Sequence, residues 1–207
     1  MREEILKALE ELRKNSKKRN FVQSVDLIIN LKGIDVKRPE NRINEDLILP
    51  FGRGEDAKIA VFTDTFRNLK GVDIYTSKDI EEIAKNKREI KKLAKKYDFF
   101  LAEPQLMPLI GKYFGKYFAP RGKMPRPIRG DPQKMVDAYK KSINIRMKNA
   151  PVIQCLVGKE NMEDEKIARN IEEVLKFVIS KLPKERANIK NVLIKFTMSK
   201  PVKVKVI

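Results

Sequence analysis

Histidine is absent from the 207 residues of this chain, and cysteine occurs once, as Cys155. Histidine is the side chain that most often acts as a general base near neutral pH and most often binds zinc, so catalytic triads and zinc chemistry are excluded. A single cysteine cannot form an internal disulfide, and its apolar surroundings, PVIQCLV, predict a buried, inert thiol and a reducing compartment. We therefore expect no catalytic residue, no metal and no cofactor.

Long apolar runs are also missing. No stretch of 18 apolar residues occurs, and the first segment, MREEILKALEEL, alternates charged and apolar residues in a helical pattern. A secretion signal would contain an uncharged apolar core instead. We therefore expect a soluble, cytoplasmic protein with no membrane partner.

What the chain has in excess is positive charge. The 46 Lys and Arg residues outnumber 28 Asp and Glu residues, which leaves a formal net charge of +18. Such a charge attracts polyanions and repels a second copy of the chain, so the leading partner is nucleic acid and the expected state is a monomer. The lysine content could instead serve solubility, or the ion-pair networks that are favoured in heat-adapted proteins.

The two ends of the chain have the pattern of an α+β domain. Residues 2–14 have helical spacing, FVQSVDLIINL alternates as a strand with Phe21 on its apolar face, and DLILP is a second short strand. Near the carboxyl end, PVIQCLVG is a strand, residues 163–182 form a helix, and NVLIKFT and VKVKVI form a closing hairpin whose apolar positions run to Val206.

The middle of the chain alternates strands and helices instead. KIAVF, VDIYT and DFFLA are typical of buried strands, and helices are predicted over 78–96, 105–118 and 132–142. Strand and helix in this order indicate a three-layer parallel sheet. Between the last two helices, residues 120–132 contain four prolines and two glycines, which predicts an irregular loop or arm.

Neither end alone is long enough for a complete core, but the two together could form one. The predicted fold class is therefore α/β with two domains. A split α+β domain comprises residues 1–56 and 151–207, and an α/β domain comprising residues 57–150 is inserted into it.

Charge is expected to be concentrated in the insert. Residues 57–150 contain 22 basic and 10 acidic residues, a net of +12, whereas the two ends together carry a net of +6. The Pro- and Gly-rich loop displays four cations that are candidates for secondary RNA contacts, although they could also serve loop packing: Arg121, Lys123, Arg126 and Arg129.

Two other functions compete with specific RNA binding. A nucleotide-dependent enzyme would use the inserted α/β domain, but neither GxGxxG nor GxxxxGK[ST] occurs in the chain. A general nucleic-acid-coating protein would accept any sequence and would lose affinity steeply with salt.

Several segments resemble a known family. NFVQSVDLIINLK, DLILPFGRG, YDFFLAEPQLMPLIGKYFGKYFAPRGKMP, LVGKENMEDEKIARNIEEVL and FTMSKP occur in the order and spacing of the family of ribosomal large-subunit protein L one, in a form similar to its archaeal members. The most specific parts are the PRGKMP loop, the GKxxxxDEKxxxNI segment that begins at Gly158, and the Thr-Met turn. The resemblance covers nearly the whole chain.

The resemblance implies a fold and a set of partners. The fold is a terminal α+β domain with a Rossmann-like insert. The implied function is that of a ribosomal protein that binds large-subunit rRNA, forms the mobile stalk where deacylated tRNA leaves the exit site, and represses translation by binding its own mRNA. No enzymatic activity is implied.

The resemblance also implies an RNA surface on the terminal domain. The family's contact positions correspond here to Arg19, Asn20, Phe21, Ser24, Lys148, Asn149, Asn191, Lys195, Thr197, Met198 and Ser199. Many family members have Gly where this chain has Ser199, so the approach of the turn backbone to RNA could differ. Taken without the resemblance, Thr197 and Met198 fit an ordinary hairpin turn and Phe21 fits a core position.

Overall fold

The computed structural model describes residues 1–38 and 41–205. The helices in these residues are α1 (Arg2–Asn15), α2 (Ser77–Ala84), α3 (Lys87–Lys96), α4 (Met107–Phe118), α5 (Pro132–Lys140) and α6 (Asp164–Lys181). The strands are β1 (Ser24–Leu31), β2 (Asn44–Ile48), β3 (Ile59–Phe62), β4 (Asp73–Tyr75), β5 (Phe99–Ala102), β6 (Arg126–Pro127), β7 (Ser142–Arg146), β8 (Val152–Lys159), β9 (Ile189–Phe196) and β10 (Val202–Val204). The mixed α/β fold class is thereby confirmed. Val206, expected in the last strand, lies outside the described residues.

The chain divides into two compact units. The outer unit comprises Met1–Glu55 and Lys141–Ile207, and the inserted unit comprises Asp56–Lys140. The second crossing was expected at residue 150 but lies at Lys140. The reason is that β7 pairs antiparallel with β2, with Ile145 opposite Glu45, and so belongs to the unit that the two ends form.

This division changes the distribution of charge. The outer unit carries 27 basic and 17 acidic residues, a net of +10, and the inserted unit carries 19 and 11, a net of +8. The difference between the two units is therefore small, because Lys141, Arg146 and Lys148 belong to the outer unit and Asp56 to the inserted one. Charge alone therefore does not single out the inserted unit as the RNA contact.

A four-stranded antiparallel sheet in the order β10-β9-β1-β8 is the centre of the outer unit. Side chains of β1 alternate, so that Val25, Leu27 and Ile29 are fully buried while the residues between them are half-buried. The buried face packs against the apolar stripes of α1 and α6, in one core with Leu9 and Ile171. The opposite face of the sheet is the one that carries Ser24, Asp26, Ile28 and Asn30.

The inserted unit is built on a four-stranded parallel sheet in the order β4-β3-β5-β6. One face packs against α2, α3 and α4 through an aromatic cluster in which the rings of Phe100 and Phe118 stack with centroids 4.4 Å apart. The other face packs against α5 around Val136. The sheet thus lies between two helical layers.

Two local predictions differ from the structure. The helix expected over 78–96 is two helices, because Asn86 begins α3 as its N-cap and accepts a hydrogen bond from the Arg88 amide at 3.0 Å. The segment 120–132 contains regular structure, since Ala119–Arg121 forms a 3-10 turn and β6 pairs with β5 at the sheet edge. Pro127 is tolerated there because an edge strand lacks a second neighbour.

Candidate nucleic-acid interface

Three segments that are distant in sequence meet at one end of the antiparallel sheet of the outer unit. They are the approach to β1, the loop after β8 and the turn after β9. We call the residues that join them, Gln23, Ser24, Glu160, Thr197 and Met198, the sheet-end cluster. The Ser24 amide donates to Thr197 Oγ1 at 3.0 Å, and the Thr197 amide donates to the Ser24 carbonyl at 3.1 Å. The turn is therefore tied to the first residue of β1.

Gln23 connects all three segments. Its side-chain Oε1 accepts a hydrogen bond from the Met198 amide at 3.1 Å, and its carbonyl accepts one from the Glu160 amide at 2.8 Å. Its own amide donates to Glu160 Oε2 at 3.2 Å. The side chain is 1% exposed, and Nε2 has no hydrogen-bond partner within the described residues. A buried amide nitrogen without an acceptor is uncommon and costs free energy.

Arg13 of α1 fixes the loop after β8. Its guanidinium donates to the carbonyls of Glu160 at 2.9 Å and Met162 at 3.0 Å, and it pairs with Asp164 at 2.7 Å. Two carbonyls and one carboxylate hold the fork in one orientation, so the loop is anchored to the helix layer. Glu160 is thereby positioned to hold Gln23.

The outside of the cluster is both apolar and basic. Phe21, Val22 and Met198 are among the exposed large hydrophobic residues of the chain, with Met198 at 60%. Arg19 and Lys200 are exposed beside them in the chain. Exposed apolar groups within a basic frame are typical of an interaction surface rather than of ordinary solvent contact.

The helix-free face of the sheet extends away from this cluster. We call the half-buried residues of β1 and β9 on this side the open sheet face: Ser24, Asp26, Ile28, Asn30, Asn191, Leu193 and Lys195. Lys195 is in register with Asp26 and Asn191 with Asn30, and Asn30 Nδ2 donates to Asn191 Oδ1 at 2.5 Å. From Ser24 to Asn30 the face is about 20 Å long at the usual rise of a strand.

Asp26 is the acidic group on this face. Burial raises its pKa above the ordinary value, and the opposing effects of Lys195 and Lys159 do not cancel the rise. Cys155 lies in the core on β8, where burial raises the pKa of its thiol to about 12. The thiol is therefore protonated at neutral pH, in agreement with the inert cysteine predicted from the sequence.

The predicted contact residues lie along the open sheet face and mainly at its two ends. Ser24, Thr197, Met198 and Ser199 lie together at the sheet-end cluster, where the Phe196 amide donates to Ser199 Oγ at 2.9 Å. Arg19, Asn20 and Phe21 are exposed in the segment that leads to this end.

The other predicted residues are further along the sheet. Lys195 lies between the two ends, beside Asp26. Asn191 lies at the far end, and exposed Lys148 and Asn149 precede β8 at that same end, where Val152 pairs with Asn30. The contact residues predicted from the sequence thus lie along an extended surface rather than at one local site.

The four cations of the Pro- and Gly-rich loop are not equivalent. Lys123 Nζ donates to the carbonyls of Ala94 at 3.1 Å and Tyr97 at 2.6 Å, at the carboxyl end of α3, and Arg121 donates to the Lys91 carbonyl at 3.4 Å. A cation that satisfies the last carbonyls of a helix has a packing role. Arg126 is half-buried in β6, and Arg129 is exposed.

Sequence reasoning missed Gln23, Glu160 and Arg13. A signal for Gln23 was present, because it occupies an odd position in the predicted strand FVQSVDLIINL, whose other odd positions are apolar, and a polar residue there needs internal partners. Glu160 lies within the GKxxxxDEKxxxNI segment, but its distance in sequence from Gln23 conceals their contact. Asn170 of the same segment is fully buried and donates to the carbonyls of Gly52 at 2.7 Å and Val157 at 2.9 Å.

Two other features are missing from the part of the chain that the structure describes. No group of three or more Asp, Glu or Cys side chains arranged to hold a metal ion occurs there. None of the helices there combines the length and apolar character needed to cross a membrane.

The family model described as Ribosomal protein L1p/L10e family matches residues 12–200, a range that includes the whole sheet-end cluster. The chain belongs to this family. The large ribosomal subunit protein uL1 of Pyrococcus abyssi is 49% identical over 99% of this chain and 96% of its own length. The uL1 proteins of Pyrococcus horikoshii and Methanothermobacter thermautotrophicus are 46% and 42% identical over 98% and 99% of this chain and 96% and 100% of theirs.

Membership in the L1p/L10e family confirms the archaeal-type resemblance found in the sequence motifs. A family of ribosomal proteins also agrees with the prediction that the chain is not an enzyme.

Proposed function

We propose that this chain is a structural protein of the large ribosomal subunit, present in the cytoplasm, that binds large-subunit rRNA through the sheet-end cluster and the open sheet face. The observation that carries the proposal is the hydrogen-bonded junction of three segments around Gln23, which fixes the turn formed by exposed Thr197 and Met198 and half-buried Ser199. A fixed turn can recognise the shape of a folded RNA, because its groups need not be ordered on binding.

The chemistry of this surface suits structured RNA. The minor groove of an RNA helix is wide and shallow and offers ribose hydroxyls and phosphates, which short polar side chains and backbone amides can reach. Thr197, Ser199 and Asn191 supply such groups, and exposed Phe21 and Met198 supply apolar contacts for riboses or bases. Arg19 and Lys148 supply charge for phosphates at the two ends of the face.

Three finer roles belong to the same proposal. Family resemblance supports a mobile stalk that contacts exit-site tRNA, and a repressor that binds its own mRNA. An mRNA element folded like the rRNA site would compete for the same surface. The net charge of +18 supports a monomer off the ribosome, because two copies repel each other.

The proposal is tested by titrating the purified chain with the rRNA fragment and with an unrelated duplex of equal length over a range of salt concentrations. Specific binding predicts a preference for the rRNA fragment that persists at moderate ionic strength. A coating protein would bind both equally, which would contradict the proposal. Footprinting of the complex then locates the bound element, and competition with the chain's own mRNA tests the repressor role.

A further inference from the structure

A cavity of about 300 Å³ lies in the inserted unit, and none of its lining residues belongs to the sheet-end cluster. Its lining includes Thr65, Phe66, Glu103, Gln105, Ile128 and Gly130. These residues follow the carboxyl ends of β3, β5 and β6, so the cavity opens at the carboxyl edge of the parallel sheet.

The strand order places a change of chain direction at this edge. From β3 the chain leads to β4 on one side of the sheet, and from β5 it leads to β6 on the other. The loops that leave the adjacent strands β3 and β5 therefore diverge and open a crevice between them. In open parallel sheets, ligands bind in the crevice at such a change of direction.

Hydrogen bonds fix the loop on one side of the crevice. Buried Glu103 accepts from Thr63 Oγ1 at 2.6 Å and from the Asp64 amide at 3.3 Å. Thr63 Oγ1 in turn accepts from the amides of Thr65 at 3.2 Å and Phe66 at 2.9 Å. The backbone that presents Thr65 and Phe66 is thus held in one conformation, and the cavity is largely formed before any ligand enters.

The lining combines one buried carboxylate, that of Glu103, with apolar side chains. Burial acts to raise the pKa of Glu103, but the bonds from Thr63, Asp64 and Thr65 outweigh it and hold the pKa below its ordinary value. The carboxylate is therefore ionised at neutral pH and disfavours an anion beside it. Phe66, which is 37% exposed, and Ile128 supply apolar lining, and Thr65 and Gln105 offer polar groups.

Two exposed arginines are the chain neighbours of lining residues. Arg67 follows Phe66 in the chain, Arg129 precedes Gly130, and both are exposed. This arrangement suits a ligand with two different ends. One end is flat and apolar with polar edges, and the other end is anionic. A nucleotide has this shape, because a base can stack on an aromatic ring while its phosphate meets arginine.

We infer that the crevice between β3 and β5 is a binding site for one unstacked nucleotide, with the base against Phe66 and the phosphate toward Arg67 and Arg129. The volume fits one nucleoside and lies at the lower end of the range for ligand pockets. The main contact is between the base and Phe66, so the site needs no glycine-rich phosphate loop. No catalytic step is involved. The site shares no residue with the proposed rRNA surface.

The test uses the full chain and nuclear magnetic resonance. Adenosine and guanosine monophosphates, a short single-stranded RNA and inorganic phosphate are each titrated while the backbone amides of Thr65, Gln105 and Gly130 are followed. Phe66→Ala is compared with Phe51→Ala, a matched control because Phe51 is similarly exposed, at 39%, and lies in the outer unit. Gln105→Ala serves as a second variant, because Gln105 is exposed and its loss does not threaten folding.

We expect the three amides to shift with the nucleotide ligands, and Phe66→Ala to weaken that binding about fivefold or more while Phe51→Ala leaves it unchanged. Binding of the monophosphates identifies a free nucleotide as a sufficient ligand, whereas binding of the oligonucleotide alone identifies an unpaired RNA residue. The inference is overturned if no nucleotide ligand shifts these amides, if phosphate alone produces the same shifts, or if the Phe66 variant binds as the parent does. Failure here would leave rRNA binding by the outer unit intact.

Discussion

Ser24 and Thr197, which are at opposite ends of the sequence, hold each other through two hydrogen bonds, one to a hydroxyl at 3.0 Å and one to a carbonyl at 3.1 Å. The first is unusual because it uses a side chain where the antiparallel ladder would use backbone. Thr197 therefore takes part in closing the sheet and at the same time remains exposed. A residue with both roles links the fold of the outer unit directly to the surface that we propose binds RNA.

Replacing Thr197 with alanine is expected to weaken rRNA binding by about 1–3 kcal/mol, the usual range for a specific contact. The hydroxyl that fixes the turn to Ser24 is lost, but no charge changes, so the dependence of affinity on salt should stay the same. Titration of the rRNA fragment at several salt concentrations measures both quantities. Thr197→Ser keeps the hydroxyl and is the control. Unchanged affinity in the alanine variant would remove Thr197 from the interface.

The periodicity of the sequence was sufficient to predict most elements of the fold. The strict alternation of β1 around Leu27 and the helical spacing of α6 around Ile171 both arise from one buried face, and a buried face leaves a pattern in the sequence. The boundary near Lys140 could not be found in this way. Whether β7 pairs with β2 or with a strand of the insert depends on long-range contacts, and the sequence of β7 itself does not indicate which pairing forms.

The candidate site was predictable only in part. Exposed Thr197 and Met198 could be identified from a family motif. Gln23 and Glu160 could not, because they are far apart in sequence and only the fold brings them into hydrogen-bonding contact. The bond from Lys123 to the Tyr97 carbonyl was equally hidden, because a Pro- and Gly-rich segment shows that a cation is displayed but not which carbonyl it meets.

Gln23 provides a way to separate stability from binding. Gln23→Met removes the hydrogen bond to the Met198 amide, which is destabilising, and it also removes the buried Nε2 that has no partner, which is stabilising. Because the two effects oppose each other, the free energy of unfolding should change by less than about 1 kcal/mol. The turn is no longer held, and rRNA affinity should fall by about 1–2 kcal/mol. Chemical unfolding and rRNA titration of the same variant test this difference. An equal loss in both measurements would show that Gln23 matters only for folding.

Asp26 should make the outer unit depend on pH in a specific direction. Because burial raises its folded-state pKa, the ionised form is disfavoured by folding, and the penalty is present at neutral pH and disappears as pH falls below the unfolded value near 3.8. Asp26→Asn removes the penalty. The variant should therefore unfold at a higher temperature than the parent at pH 7, and the difference should shrink as the pH is lowered through the acidic range. A difference that is constant with pH, or of opposite sign, would contradict this assignment.

Lys123 is expected to stabilise the inserted unit rather than to bind phosphate. Its ammonium group satisfies the carbonyls of Ala94 and Tyr97 at the carboxyl end of α3, so Lys123→Met should lower the free energy of unfolding by about 1–3 kcal/mol and speed hydrogen exchange in α3. Arg129→Met, at an exposed position of the same loop, is the matched control and should change stability by less than about 0.5 kcal/mol. If instead Lys123→Met left α3 protected and reduced the salt dependence of rRNA binding, the ammonium group would have to contact RNA.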